Sequence, residues 1–320
     1  MVEQKKIATV IVPSYNEEDN IPALFERVEK VFEDLDGYTH EYIFIDNAST
    51  DRTPFILEEL AKKHSHVKVI FNARNFGHIR SPVYGILQSE GDVTIFMVAD
   101  LQDPPEKIPE ILKAWEEGNQ IVMCVKTQSK ETWAMFMVRK LYYWIVGKLA
   151  EVDLVKNFYG FGAYDRLIIK ELRKYEDPYP YFRGQLCELG FNSKQLEYTQ
   201  ERRARGFSKN NFYSLVDNAL LGITYHSKVP LRFGIFAGFF MAFLSFLIGI
   251  GYGVAKIMYW DSFSIGVAPL ILGTFFFFSL NLIFLGIIGE YIGNIYTQVL
   301  KRPLVVERKR LNFDSDEEKG

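Results

Sequence analysis

Three short polar runs in the first third of this 320-residue chain carry side chains able to handle a charged ligand. They are Pro13-Ser14-Tyr15-Asn16-Glu17-Glu18, Asp46-Asn47-Ala48-Ser49-Thr50-Asp51 and Asp100-Leu101-Gln102-Asp103-Pro104-Pro105. Carboxylate and amide oxygens are hard ligands, so such a set suits Mg2+ or Mn2+ bridging a diphosphate. Taken singly, each Asp would serve a turn or a helix N-cap equally well. A second chemistry comes from the basic run Arg202-Arg203-Ala204-Arg205-Gly206-Phe207-Ser208-Lys209. Guanidinium groups grip phosphate oxygens in two-pronged fashion and an ammonium adds a point charge, which makes Arg205 and Lys209, then Arg203, candidates for a phosphate, with a solvated or lipid-headgroup patch as the alternative. No Gly-x-Gly-x-x-Gly or Walker-type loop occurs, which disfavours a dinucleotide oxidoreductase or a P-loop NTPase. With only Cys124 and Cys187, a disulfide framework or a cysteine zinc site is excluded.

The elements that must position these runs follow from hydrophobic patterning. Short β-rich runs alternate with helical stretches, which predicts βαβ units and a mainly parallel sheet in an α/β fold. Strands are expected at Ala8–Val12, Tyr42–Asp46, Val67–Phe71, Val93–Val98 and Gln120–Val125. Helices are expected near Pro22–Leu35, Pro54–Lys63, His78–Ser89 and Pro105–Glu117. In such a sheet ligands bind beyond the carboxyl ends of the strands, which is where the three acidic runs fall. Asn157–Asp165, rich in Gly and aromatic residues, reads as a further strand. Gly160 and Gly162 there would admit a ligand or a neighbouring backbone.

The averages, a mean hydropathy of −0.03 and a net charge of −3, hide unlike sections. Residues 1–130 carry 14 basic against 22 acidic side chains, and residues 131–230 carry 15 against 11. An acidic section beside a basic one fits a divalent cation in the first and phosphates or anionic lipid at the second. Phe233–Ala255 and Phe263–Gly289 contain no charge, and twelve of the 27 Phe lie between Phe233 and Phe284. Both stretches exceed the ~20 apolar residues a membrane span needs. We read two transmembrane helices, near 231–257 and 264–291, and the excess of Lys and Arg outside the hairpin turn predicts cytoplasmic termini. The cytoplasmic domain is then 1–230, the membrane hairpin 231–293, and 294–320 a cytoplasmic segment with a disordered acidic tail. Amphipathic patterns near 131–150, including Arg139, and near 210–226 predict helices lying in the membrane interface, with buried core helices as the alternative.

The runs Val10–Glu18, Phe44–Thr53, Asn75-Phe76-Gly77 and Asp100–Glu106 resemble the ordered motif series of family 2 glycosyltransferases. The two C-terminal spans resemble the branch that makes polyprenyl-phosphate sugars, which includes bactoprenol glucosyltransferases and dolichol-phosphate mannose synthases. The resemblance runs from Ile7 to about Val306 and implies a GT-A-type nucleotide-sugar domain. It implies that Pro13, Tyr15 and Glu17 cradle base and ribose, and that Asp46 reads the base edge. Asp100 and Gln102 resemble the metal ligands beneath the diphosphate, with Mg2+ or Mn2+ as cofactor, and Asp51 resembles a structural loop residue. The chain reads Val98-Ala99-Asp100 where the family commonly has Asp-x-Asp, and Asp46-Asn47 where many members show two Asp. Arg205 and Lys209, then Arg203, Ser208 and Arg139, resemble contacts to the acceptor phosphate. Asp103 would either orient the acceptor or act as a base, or cap the helix that follows.

The expected function is inverting transfer of one sugar from a nucleoside diphosphate sugar, UDP-glucose or a related UDP-hexose, to undecaprenyl or similar polyprenyl phosphate. The expected place is the cytoplasmic face of the plasma membrane, with Asp100, Asp103 and Arg205 at the chemistry. Relatives suggest a homo-oligomer, a tetramer among them, and nothing points to nucleic acid. A GDP-mannose-dependent mannosyltransferase, a processive polysaccharide synthase and a non-catalytic nucleotide-binding membrane protein remain the alternatives.

Overall fold

A computed structural model describes residues 5–127, 155–200, 229–259 and 267–313. The two expected interfacial helices lie outside the described residues, as do Arg139, Arg203, Arg205, Ser208, Lys209 and the acidic tail.

Strand β1 (Lys6–Ser14) leads through helix α1 (Ile21–Glu33) to β2 (Tyr38–Asp46), and α2 (Thr53–Lys63) leads on to β3 (Val67–Asn72). Helix α3 (Gly77–Leu87) then carries the chain to β4 (Val93–Phe96), on the other side of β1. A 3-10 turn at Pro105–Lys107 opens α4 (Ile108–Glu116), followed by β5 (Ile121–Lys126). Each of these lies within a few residues of its expected place. Pro22, Pro54 and Pro105 all occupy first-turn positions, where the missing N–H costs nothing.

The remaining elements are β6 (Phe158–Asp165), α5 (Arg166–Leu172), α6 (Phe182–Glu188), β7 (Ser193–Tyr198), the long helices α7 (Val229–Met258) and α8 (Val267–Val299), and β8 (Glu307–Leu311). The eight strands are ordered β7-β5-β6-β4-β1-β2-β3-β8. The central four are parallel, whereas β6 runs antiparallel between β4 and β5, and β8 runs antiparallel on the outer edge of β3.

Strand alternation sorts the core into two layers. Val10, Val12, Tyr42, Phe44, Val69 and Phe71 face α1, α2 and α4, while Ile11, Ile43, Ile45 and Ile70 face α3, α5 and α6. On α1 the buried residues Ile21, Leu24, Val28 and Phe32 recur at helical spacing and form one stripe. At Gly162 (φ +153°) an added Cβ would stand 2.0 Å from the Val122 carbonyl oxygen, so close approach of the β5 backbone explains this glycine.

The segment after the last long helix, read from sequence as a cytoplasmic stretch, adds a strand to the sheet. Helix α8 continues to Val299, and the chain then returns to the sheet. The Ala73 N–H donates to the Val306 carbonyl (2.8 Å), and the Lys309 ammonium meets Glu58 (2.9 Å). Arg310 pairs with Glu307 and donates to the Tyr84 hydroxyl (3.0 Å) and Gln88 (2.9 Å). Asn312 Nδ2 donates to the Ala61 and Val67 carbonyls at 2.7 and 2.8 Å. Charges that read in sequence as a membrane-flanking cluster therefore bind a strand to the edge of β3.

Of the two long helices, Gly273–Val299 is the one stretch among the described residues that is long and apolar enough to cross a membrane, with a mean hydropathy of 1.9. The apolar run of α7, Phe233–Ile248, is shorter.

Candidate active site

The chain leaves β1 through α1 to one side and reaches β4 on the other, so the switch point of the sheet lies at β1. Pro13 is level with Ile45 and Ser14 with Asp46 on β2, while Ile11 is level with Phe96 on β4. The three acidic runs therefore emerge side by side at the carboxyl ends of adjacent strands.

The first two loops are tied together by short polar contacts. Asn16, at φ 58°, accepts the Thr50 N–H on Oδ1 (2.8 Å) and donates its own N–H to the Ser49 hydroxyl (2.9 Å). The Glu17 N–H reaches the Thr53 hydroxyl (2.9 Å), and the Arg52 N–H reaches Glu18 (2.8 Å). Asp51 accepts from the Thr53 N–H (3.0 Å) and the Glu18 N–H (3.3 Å), the geometry of a loop brace. Pro13, Tyr15 and Glu17 are half-buried along this seam. Asp46 is fully buried and accepts the Ser49 N–H on both oxygens at 3.3 Å. Burial pushes its carboxyl up, and the Ser49 contacts and the Arg308 charge oppose that rise. Asn47 Oδ1 accepts from Asn72 (3.1 Å) and the Phe76 N–H (2.8 Å), and its Nδ2 donates to Asn75 (3.0 Å) and the Gly77 carbonyl (3.1 Å). The Asn75-Phe76-Gly77 motif is thus locked to the end of β2.

The third loop follows β4. Leu101, at φ 61°, turns the chain between Asp100 and Gln102, and the Gln102 N–H donates to Asp100 Oδ1 (3.2 Å). Asp100 is buried and Gln102 half-buried. Asp103 is also buried and accepts the Tyr198 hydroxyl (2.8 Å) and the Val98 N–H (3.4 Å). Burial pushes the Asp103 carboxyl up to about 6, while the Tyr198 hydroxyl and the Lys126 charge favour its ionised form. Of the two roles left open for Asp103, no helix-capping contact appears among its hydrogen bonds to the described residues. Lys126, the last residue of β5, has its ammonium 4.2 Å from the Tyr159 ring centroid. Burial lowers its pKa, and the charges of Asp103 and Asp100 pull it back up.

Sequence reasoning missed Lys126, Tyr198 and Arg308. Lys126 carried a faint signal as a basic side chain ending an apolar strand, at the carboxyl end where the acidic loops lie. Tyr198 and Arg308 carried none, because β7 and β8 reach the site only through pairings distant in sequence. His78 is exposed.

Fold and site define a doubly wound α/β protein with three acidic loops gathered at its switch point. The sequence profile described as Glycosyl transferase family 2 matches residues 9–173, just over half of the chain, and the chain belongs to that family. It is a glycosyltransferase, and the fold is the GT-A type that the resemblance implied. An uncharacterized glycosyltransferase of Bacillus subtilis, YkcC, is 31% identical over 96% of this chain and 95% of its own length. A prophage-derived bactoprenol glucosyl transferase of Shigella flexneri is 30% identical over 94% of this chain and 97% of its own. Among solved structures, a mannosyltransferase from Pyrobaculum calidifontis in complex with GDP-Man and Mn2+ is 15% identical, covers 93% of this chain and 87% of its own, and has a TM-score of 0.44.

Proposed function

We propose that this chain transfers one hexose from a nucleoside diphosphate sugar, UDP-glucose or a related UDP-hexose, to a polyprenyl phosphate, with inversion at the anomeric carbon. The observation that carries this reading is the likeness to a bactoprenol glucosyl transferase over 94% of this chain, a span long enough to take in both long helices as well as the sheet.

The chemistry is a single displacement. An acceptor phosphate oxygen attacks the anomeric carbon, the bond from that carbon to the diphosphate breaks, and the nucleoside diphosphate leaves with the electron pair. A lipid monophosphate has a second pKa of about 6 and is already nucleophilic at pH 7, so no strong base is needed. The chain must instead hold two mutually repelling phosphates in line. Pro13, Tyr15 and Glu17 would cradle base and ribose, and Asp46 would read the base edge. Arg205, Lys209, Arg203, Ser208 and Arg139 would hold the acceptor phosphate, on the strength of their sequence.

Asp100 and Gln102 offer a carboxylate and an amide oxygen across one tight turn, a donor set that fits Mg2+ or Mn2+. When bound, such an ion neutralises charge on the departing diphosphate. Asp103 is the second acidic group of this loop, and its Tyr198 contact holds it in one orientation.

A parity argument supports a two-span hairpin with both ends on the catalytic side. Strands β7 and β8 belong to one sheet, so the chain between them crosses a membrane an even number of times or not at all. If α8 crosses, a second crossing is needed, and α7 is the other long apolar helix among the described residues that could supply it. The described residues of both helices are largely exposed, as lipid-facing residues of a small hairpin would be. The open faces at Gly286, Gly289 and Gly293 favour self-association.

The test is purified full-length protein with Mn2+ or Mg2+, a panel of labelled nucleotide sugars and a short polyprenyl phosphate. One lipid-phosphate sugar from a UDP-hexose is expected. No lipid-linked product with any donor refutes the proposal, a product from GDP-mannose alone reassigns the donor, and a ladder of products indicates a polymer synthase.

A further inference from the structure

At the opposite end of the sheet the structure gathers three of the chain's five histidines around one carboxylate. Glu29 on α1 accepts from His40 Nε2 on β2 (2.7 Å) and from His66 Nε2 just before β3 (3.2 Å), and the Tyr42 hydroxyl donates to the same oxygen (2.9 Å). His64 lies beside them, its ring centroid 5.6 Å from that of His66. Phe32 stacks on His40 at 4.3 Å, and Phe25 stacks on His66 at 6.4 Å, so both imidazoles are held in place by rings from α1. The site is half-buried, with side-chain exposures of 28% for Glu29, 17% for His40 and 32% for His66, which leaves room for an ion to enter from solvent.

The geometry points to a divalent transition-metal site of the zinc class formed by Glu29, His40 and His66, separate from the catalytic crevice. One ligand atom from each residue lies within 4.8 Å of the others. Ligands at about 2.0–2.1 Å from a tetrahedral zinc stand about 3.3 Å apart, so small side-chain adjustments bring these three atoms onto one ion. Two imidazoles and a carboxylate favour Zn2+, Co2+ or Ni2+ over Mg2+, which prefers all-oxygen sites. Tyr42, bonded to the ligand carboxylate, stands where an outer-shell group fixes the orientation of a ligand. His40 precedes Asp46 by six residues on the same extended strand, about 20 Å, so an ion here cannot touch the diphosphate. The ion would instead clamp α1, β2 and the α2–β3 connection together, and its binding would add to the stability of the catalytic domain. This inference does not depend on the proposed substrates.

The experiment uses full-length protein stripped with chelator and titrated with Co2+ in excess Mg2+, read by visible absorption and by thermal unfolding. One Co2+ per chain with the intense bands of a tetrahedral site is expected, and added Zn2+ should displace it and raise Tm. His66→Asn and Glu29→Gln should each abolish the bands and the Zn2+-dependent rise in Tm, Tyr42→Phe should weaken binding about 10–100-fold, and Asp100→Ala should leave the bands intact. Glu29→Gln keeps the size of the side chain, so it reads the metal even if His66→Asn folds poorly. Absence of Co2+ binding in the wild type, or bands lost in Asp100→Ala and kept in Glu29→Gln, overturns the assignment.

Discussion

Asn47→Asp exchanges one nitrogen for an oxygen at a point where four hydrogen bonds meet. The side chain is 7% exposed and joins the end of β2 to Asn72, Asn75, Phe76 and Gly77. The two bonds accepted by Oδ1 survive the change and gain strength from the charge. The two donated by Nδ2, at 3.0 and 3.1 Å, are lost, and a carboxylate oxygen then faces the Asn75 and Gly77 oxygens. Two lost bonds at about 0.5–1.5 kcal/mol each, with about 1–3 kcal/mol for an acceptor buried against acceptors, outweigh the gain and leave a net loss of roughly 2–4 kcal/mol. For a catalytic domain of this size each kcal/mol moves Tm by about 2–4 °C, so a fall of roughly 4–16 °C is expected. Intrinsic fluorescence during a thermal ramp in detergent measures it. Because Asp46 is the adjacent residue, the apparent KM for the nucleotide sugar should rise as well. A Tm within 1 °C of wild type, or above it, would refute the view that Asn47 acts as a donor bridge between the β2 and β3 loops.

Asp100→Asn keeps the size of the side chain but removes its charge, so turnover should fall about 100-fold or more, with Tm little changed, when followed by radiolabelled transfer. Near-normal turnover would mean the metal ligands lie elsewhere. Arg205→Ala should raise the apparent KM for the polyprenyl phosphate much more than that for the nucleotide sugar, and equal rises would move Arg205 away from the acceptor. Gly162→Ala drives a Cβ into the Val122 carbonyl at 2.0 Å, so soluble expression and Tm should both drop sharply. A stable, active variant would contradict the β5–β6 register.

Much of the half that carries the three acidic loops was legible from residue order. The strands ending in Pro13, Asp46 and Asp100 showed themselves by apolar runs, and the helices between them by proline at the first turn and helical spacing on α1. Parallel strands joined by single helices leave few choices of neighbour, so placing the elements came close to placing the three acidic loops. The antiparallel strands were harder to assign. Residues 157–165 read as a strand, but nothing local says that this strand lies between β4 and β5, because its partners are 33 to 72 residues away. The run Glu307–Leu311 was further hidden, since Arg308, Lys309 and Arg310 read as a membrane-flanking cluster. Their partners, Glu58, Tyr84 and Gln88, lie more than 200 residues earlier.

The sequence by itself determined the motif series, the family, the α/β class and the apolar stretches near the C-terminus, because all of these are written in residue types at short spacing. Only the tertiary structure decided that Lys126 and Tyr198 stand beside Asp103, that Arg308 acts on Asp46, and that Glu29, His40 and His66 converge at the far end of the sheet. These are juxtapositions of residues tens to hundreds of positions apart. Strand pairing and packing across the sheet set them, and no local periodicity records which distant strand a given edge will meet.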